Sequence, residues 1–347
     1  MDRLSIIRPD DWHLHVREGD MLRTVLMASA SVFGRAIIMP NLKNPVTTAA
    51  RAAVYREEII AALTAGTSFT PLMTCYLTDQ TDPDDLANGH RDGIFIAAKL
   101  YPAHATTNSE HGVTELRRIY PVLERMQKIG MPLLVHGEVT DAAIDIFDRE
   151  KVFLDRVLTG LLQDFPELKI VLEHATTKDA VDFVSAHAAS GRLAATITAH
   201  HLHIDRNAML VGGIRPHFYC LPVAKRATHK LALIAAATSG ASCFFLGTDS
   251  APHPRALKET ACGCAGIFTA PTALPLYAEI FDRAGQLDRL EAFASRYGAL
   301  FYGLPVNAGN VTLRKSSKAL PTLSCLGGDA VTPFAPPEPL HWEIAPA

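Results

Sequence analysis

The sequence predicts an α/β fold, a (β/α)8 TIM barrel. Three observations carry the barrel. Short β-rich apolar runs alternate with longer segments of helical period, which implies parallel strands joined by crossover helices. The runs number eight, and a chain of 347 residues suits one barrel. An open doubly wound sheet would usually show a glycine-rich first turn, and the chain has no G-x-G-x-x-G.

The elements follow in order. The first strand is Leu4–Ile7, running on toward His15, and the second is Ala36–Met39. A helix over Thr47–Ala65 places Ala50, Val54, Ile59, Ala62 and Leu63 among charges at Arg51, Arg56, Glu57 and Glu58. Phe69–Cys75 and Gly93–Leu100 are the third and fourth strands. Val113–Ile129 puts Leu116, Ile119, Leu123 and Met126 on one stripe, and Gly130 stops it. Pro132–Val135 and Ile170–Leu172 are strands five and six, followed by a helix over Lys178–Ala189. Strand seven is Leu193–Ile197, then a helix spans Val223–Thr238, and Cys243–Leu246 is strand eight. From about Val306 the chain is rich in Pro and Gly and reads as an irregular extension wrapped on the barrel. Residues 1–347 are thus expected to form a single barrel domain.

Bulk properties exclude some functions. The chain is 48% hydrophobic and 20% charged, enough for a large core, and its formal net charge of −3 gives no reason to expect nucleic acid or an acidic membrane as partner. The apolar stretch Leu231–Gly247 is interrupted by Thr238-Ser239-Gly240 and reads as helix, turn and strand rather than a membrane span. Nothing after Met1-Asp2-Arg3 resembles a signal peptide. Cysteines at 75, 220, 243, 262, 264 and 325 are scattered, unlike a disulfide framework, and a reducing cytoplasm is the simplest compartment. Cys262-Gly263-Cys264 has no second cysteine pair beside it and reads as free thiols in a loop.

The chemistry-bearing residues share one relative place. His13 and His15, at i and i+2 on a strand, point to the same face. Lys99, His136, His174 and Asp249 each sit at or just past the end of an apolar run. Barrel topology carries all six to one rim. Four imidazoles, a carboxylate and a lysine suit zinc, which accepts N and O ligands. Any one of these histidines could instead be a hydrogen-bonded structural residue. Lys99 is harder to explain that way, because an ammonium facing a barrel mouth is costly to desolvate and cannot ligate a metal. Either it pairs with Asp249, or its neutral amine adds CO2 to give an anionic carbamate able to bridge two cations. The cluster His200, His201 and His203 after strand seven is not expected to bind metal.

Several segments carry a family resemblance. They are Pro9-Asp10-Asp11-Trp12-His13-Leu14-His15-Val16-Arg17, Met39-Pro40-Asn41, Lys99-Leu100-Tyr101-Pro102-Ala103, Ala105-Thr106-Thr107-Asn108, Leu134-Val135-His136-Gly137-Glu138, Glu173-His174, and Gly247-Thr248-Asp249-Ser250-Ala251-Pro252-His253. Together they resemble the amidohydrolase superfamily, and within it the dihydroorotases of the short, single-function bacterial kind, from about residue 3 to about residue 305. The resemblance implies two Zn2+ ions. His13, His15, Asp249 and Lys99, carboxylated by CO2, would hold one. Lys99, His136 and His174 would hold the other, with a hydroxide between them. It implies reversible closure of N-carbamoyl-L-aspartate to L-dihydroorotate with loss of water, and a homodimer. Asp249 suits the role of base and then acid. Arg17, two residues past His15, can bind a substrate carboxylate bidentately, where the plain alternative is a surface ion pair with Glu18 or Asp20. Asn41 and His253 can add polar contacts, and the resemblance alone adds backbone groups at Leu221 and Ala265. The loop 103–112, with Thr106 and Thr107, is a lid by the same resemblance. Three rivals are a hydantoinase-like cyclic amidohydrolase, which has no use for Arg17, a catalytically silent scaffold, which would have lost ligands, and a mononuclear deaminase, which would not need Lys99 as a bridge.

Overall fold

The N-terminal apolar run holds two strands, not the single one expected. Pro9 has no N–H to continue a ladder, and the chain changes sheets there. In the computed structural model, which describes residues 2–316, 323–324 and 330–346, β1 (Arg3–Ile7) leaves the barrel. It pairs antiparallel with β10 (Asn310–Lys315), which in turn pairs with β13 (Trp342–Ile344). The region from Val306 is therefore not simply irregular. The apolar residues Val311 and Leu313 alternate with polar ones along β10, the period of a half-buried strand. A two-stranded piece, β11 (Leu323–Ser324) with β12 (Ala330–Val331), lies between them in sequence. Cys325 falls outside the described residues.

The barrel is built by β2 (Asp10–Leu14), β3 (Arg35–Ile38), β4 (Thr70–Tyr76), β5 (Phe95–Leu100), β6 (Leu133–His136), β7 (Ile170–Glu173), β8 (Leu193–Ile197) and β9 (Phe244–Leu246), in that spatial order and all parallel. Seven of the eight expected strands lie within a few residues of these bounds; the first is displaced past Pro9. The helices Ala49–Ala61, Tyr120–Ile129, Lys178–His187 and Ala227–Ala237 occupy the expected segments with shorter ends. Thr48 and Thr177 cap two of them by accepting the N–H three residues on. Gly130, at φ 72°, ends the third.

Alternation along the strands builds two shells. Leu133, Val135, Ile170, Leu172 and Leu246 face outward to the helices in the large core. Ile37, Ala97, Leu134, Val171, Ala194 and Phe245 face inward with Trp12 and Tyr302 as an apolar floor. Two residues further along β5 to β8, on the same inward face, stand Lys99, His136, Glu173 and Thr196. The barrel interior thus changes from apolar to polar in one step toward the C-terminal rim.

The seam between first and last strands closes without a regular ladder. The Asp249 N–H donates to the His13 carbonyl (2.9 Å) and the His15 N–H to the Ser250 carbonyl (3.1 Å). The buried Asp11 carboxylate accepts from the Thr248 N–H (2.8 Å) and hydroxyl (2.6 Å).

Candidate metal centre and substrate cleft

A bulge in β2 prepares the first two ligand positions. Asp11 pairs with Ala36 and Leu14 with Ile38, so β2 spends one residue more than β3 over the same interval. Trp12 can then pack in the barrel floor while its neighbour His13 reaches the cleft. His13 and His15 both meet Asp249: His13 Nε2 lies 3.3 Å and His15 Nε2 3.1 Å from Asp249 Oδ1. The ring centroids of His13 and His174 are 5.1 Å apart, and those of His136 and His174 4.8 Å. The ligand-type atoms of His13, His174 and Asp249 all lie within 4.8 Å of one another. All six residues named from the sequence as metal ligands are buried and meet at one rim.

Lys99 is 0% exposed, and its Nζ has no hydrogen-bond partner; the Nδ1 of His174 is likewise unpartnered. Pairing with Asp249, one of the two explanations for Lys99, therefore has no support, since no bond between them forms. Burial lowers the Lys99 ammonium to about 8, toward the neutral amine, against the pull of Glu173 and Asp249. Burial also lowers His15 to about 3 and holds His174 well below the usual imidazole range, leaving both with free lone pairs. For Asp249, burial raises the pKa, but His13 and His15 outweigh it and hold the carboxylate ionised. Orphaned nitrogens around an ionised carboxylate are a donor set that fits divalent metal.

Two buried carboxylates that the sequence reading quoted but gave no role support this set. Glu173 Oε2 lies 2.6 Å from His13 Nδ1 and accepts from Thr196 Oγ1 at 2.8 Å. Glu138 Oε2 lies 2.8 Å from His136 Nε2. Each fixes an imidazole's orientation and tautomer. The signal for Glu173 was present, because it stands two residues past inward-facing Val171. The Thr196 hydroxyl also accepts the His174 N–H (2.7 Å), holding the turn by which the chain leaves β7.

Around this centre lies a narrow cleft walled by Arg17, Asn41, Tyr101, Thr106, Thr107, Leu221 and Ala265. Arg17 makes neither of the surface pairs that stood as the alternative to carboxylate binding. Glu18 pairs with Arg51 and Asp20 with Arg23. Arg17 Nε instead donates to the Pro252 carbonyl (3.0 Å), and Nη2 lies 3.1 Å from His253 Nε2. That His253 nitrogen is also 3.0 Å from the Ala265 carbonyl, and it can serve only one of the two at a time. The loop 103–112 lies against the opening. Asn41 Nδ2 donates to the Thr107 carbonyl (3.0 Å), Asn108 Nδ2 to the Asn41 carbonyl (3.0 Å), Tyr76 Oη to the Asn108 carbonyl (3.1 Å), and Thr107 Oγ1 to the Ala265 carbonyl (3.3 Å). His201 and His203 are occupied elsewhere, with the Pro222 and Leu276 carbonyls each 3.0 Å from an Nε2.

The chain is similar to known proteins over nearly its whole length. The amidohydrolase family pattern matches residues 6–317. The dihydroorotase of Novosphingobium aromaticivorans is 58% identical over 346 residues, covering 100% of this chain and 99% of that one. The chain also superposes on the Saccharomyces cerevisiae dihydroorotase in complex with 5-fluoroorotic acid (TM-score 0.91, 33% identity, 99% of both chains). It superposes equally on the Campylobacter jejuni dihydroorotase (TM-score 0.89, 34% identity, 99% and 98%).

Proposed function

The chain belongs to the amidohydrolase family, among its dihydroorotases, and from that premise we propose how its cleft carries out the reversible cyclisation of N-carbamoyl-L-aspartate to L-dihydroorotate with loss of water. The observation that carries the reading is the meeting of His13, His15, His136, His174 and Asp249 around one cleft, with Lys99 buried close enough for its charge to act on His13 and His174, and Arg17 in the adjoining wall. His13, His15 and Asp249 would hold one Zn2+, and His136 and His174 a second. Lys99, as its carbamate, would be shared between them, and its unpartnered, partly neutral amine supports that. Bound there, the metal pair supplies Lewis acidity to the ring carbonyl and lowers the pKa of water.

The chain's own groups do the rest. Arg17 takes the substrate carboxylate as a charge-assisted, two-pronged pair, with Asn41 and His253 beside it. The backbone at Leu221 and Ala265 lines the ring. In the ring-opening direction a water oxygen bonds to the ring carbonyl carbon and the ring C–N bond breaks. Asp249, held ionised, accepts one water proton and delivers it to the departing nitrogen; the other leaves as the new carboxylic acid ionises. Thr106 and Thr107 close the cleft from above and exclude bulk water. Cyclisation is the same path reversed. A homodimer in the cytoplasm completes the reading. Cys75, Cys220, Cys243, Cys262 and Cys264 are free thiols, as suits a reducing compartment. No helix among the described residues is long and apolar enough to cross a membrane.

The test is metal analysis joined to assays on L-dihydroorotate, N-carbamoyl-L-aspartate and an unsubstituted hydantoin. Turnover of the first two by a metal-loaded protein is expected. Turnover of hydantoin alone would overturn the assignment of Arg17 and of the substrate.

A further inference from the structure

Lys258 is a buried cation that nothing in the proposed reaction uses. It is 3% exposed, and its Nζ donates to three backbone carbonyls: Tyr219 (2.8 Å), Cys264 (2.8 Å) and Gly266 (2.9 Å). An ammonium has three hydrogens, so all are used. These carbonyls bracket the cleft wall. Tyr219 lies two residues before Leu221, and Cys264 and Gly266 flank Ala265. The bracketed backbone does not hold its shape by local preference. Cys264 has φ 21°, and Gly266 has φ 151° in a place where a Cβ would come within 2.6 Å of the Ala251 carbonyl oxygen. The lid's Thr107 and the carboxylate-side His253 both meet this wall at the Ala265 carbonyl.

We propose that Lys258 is a positioning residue for substrate binding: it ties the segment before Leu221 to the segment around Ala265 and so fixes the wall on which substrate and lid are seated. The inference rests on the reading of the cleft given above. Burying an ammonium among neutral carbonyls is unfavourable compared with burying an apolar side chain. A lysine there is best explained by backbone atoms that only a three-way donor can hold in place. The groups facing it are the Cys220 and Cys264 thiols, the Tyr219 ring (5.7 Å from Nζ) and the imidazoles of His200 and His253. Burial lowers the ammonium to about 8. A neutral amine has two hydrogens, so one carbonyl loses its donor as the pH passes that value.

The experiment compares wild type, Lys258→Met and Lys258→Arg in the metal-loaded protein, reading KM and kcat for L-dihydroorotate, metal content and thermal midpoint. Lys258→Met is expected to raise KM about tenfold while kcat falls less than about threefold, with metal content unchanged. Wild-type KM is expected to rise between about pH 7 and about pH 9, and Lys258→Arg, which stays charged, to remain flat. A folded Lys258→Met with wild-type KM overturns the proposal. So does a loss of metal and thermal midpoint without a change in KM, or a pH profile that Lys258→Arg shares in full. Wild-type turnover of L-dihydroorotate tests the reaction itself, and the differences between variants test the clamp.

Discussion

Arg17, His174 and Asp249 share a backbone property that their side chains do not reveal: φ angles of 61°, 42° and 44°, in the left-handed region. For residues with a Cβ this region is unfavourable, by about 1–3 kcal/mol each, and it concentrates at functional sites. Each of these residues lies just past a barrel strand, and the turn swings its side chain into the cleft. The identities of the residues were legible in the sequence, because His, Lys and Asp at strand ends stand out against apolar runs. The left-handed turns were not, since they are imposed by contacts such as the Thr196 hydroxyl on the His174 N–H. Glu138 was not legible either, because a carboxylate two residues past a histidine reads as an ordinary loop residue until the ring is seen against it. Two predictions belong at this scale. Lys99→Ala should abolish turnover, by at least about a thousandfold, and lower the metal-to-protein ratio, read by elemental analysis; retention of most of kcat would refute the shared carbamate. Arg17→Met should raise KM for L-dihydroorotate by about ten- to a hundredfold with a smaller effect on kcat. Steady-state kinetics with both constants unchanged would remove it from carboxylate binding.

Among the elements, the four expected helices and seven of the eight expected strands fall where hydrophobic period places them, whereas the helices Gly19–Ala30, Pro83–Arg91 and Ala273–Arg283 were not expected. The exceptions among the strands have physical causes. β1 and β2 merged in the sequence because both are β-rich, and only the missing donor of Pro9 separates them. β10 carries a strand's alternation at Val311 and Leu313, but it is short and its partner, β1, lies about 300 residues away in sequence, so nothing nearby marks what it pairs with. The loop 103–112 was legible as polar, and its docking on Asn41 and Ala265 shows how a polar loop comes to be ordered over a cleft. Replacing Thr106 by Val and Thr107 by Gly should lower kcat about tenfold or more while the thermal midpoint moves by only a few degrees. Wild-type turnover in that variant would exclude a lid.

At the scale of the whole molecule, the barrel is plugged below and reactive above. Below, Trp12 stacks on Tyr302 at 4.6 Å between centroids, and the chain passes so close that a Cβ on Gly298 would lie 1.9 Å from Trp12 Nε1. Gly298→Ala should therefore destabilise the fold by about 1–3 kcal/mol in urea unfolding and leave KM of the surviving protein unchanged. A neutral result would mean that the floor can shift. Above, a metal pair bound only by the folded chain, as proposed, would raise its unfolding midpoint by mass action, so chelation should lower that midpoint as well as stop turnover. A midpoint indifferent to chelator would place the metal outside the barrel's stability. The join between β2 and β9 gives this coupling its sharpest form. His13 and His15 stand on one side of it and Asp249 on the other, and their own peptide groups make the stitches. Were the cylinder to part along that line, the proposed ligand shell would be split in the same event, and a half-opened state would lose the chemistry proposed for it.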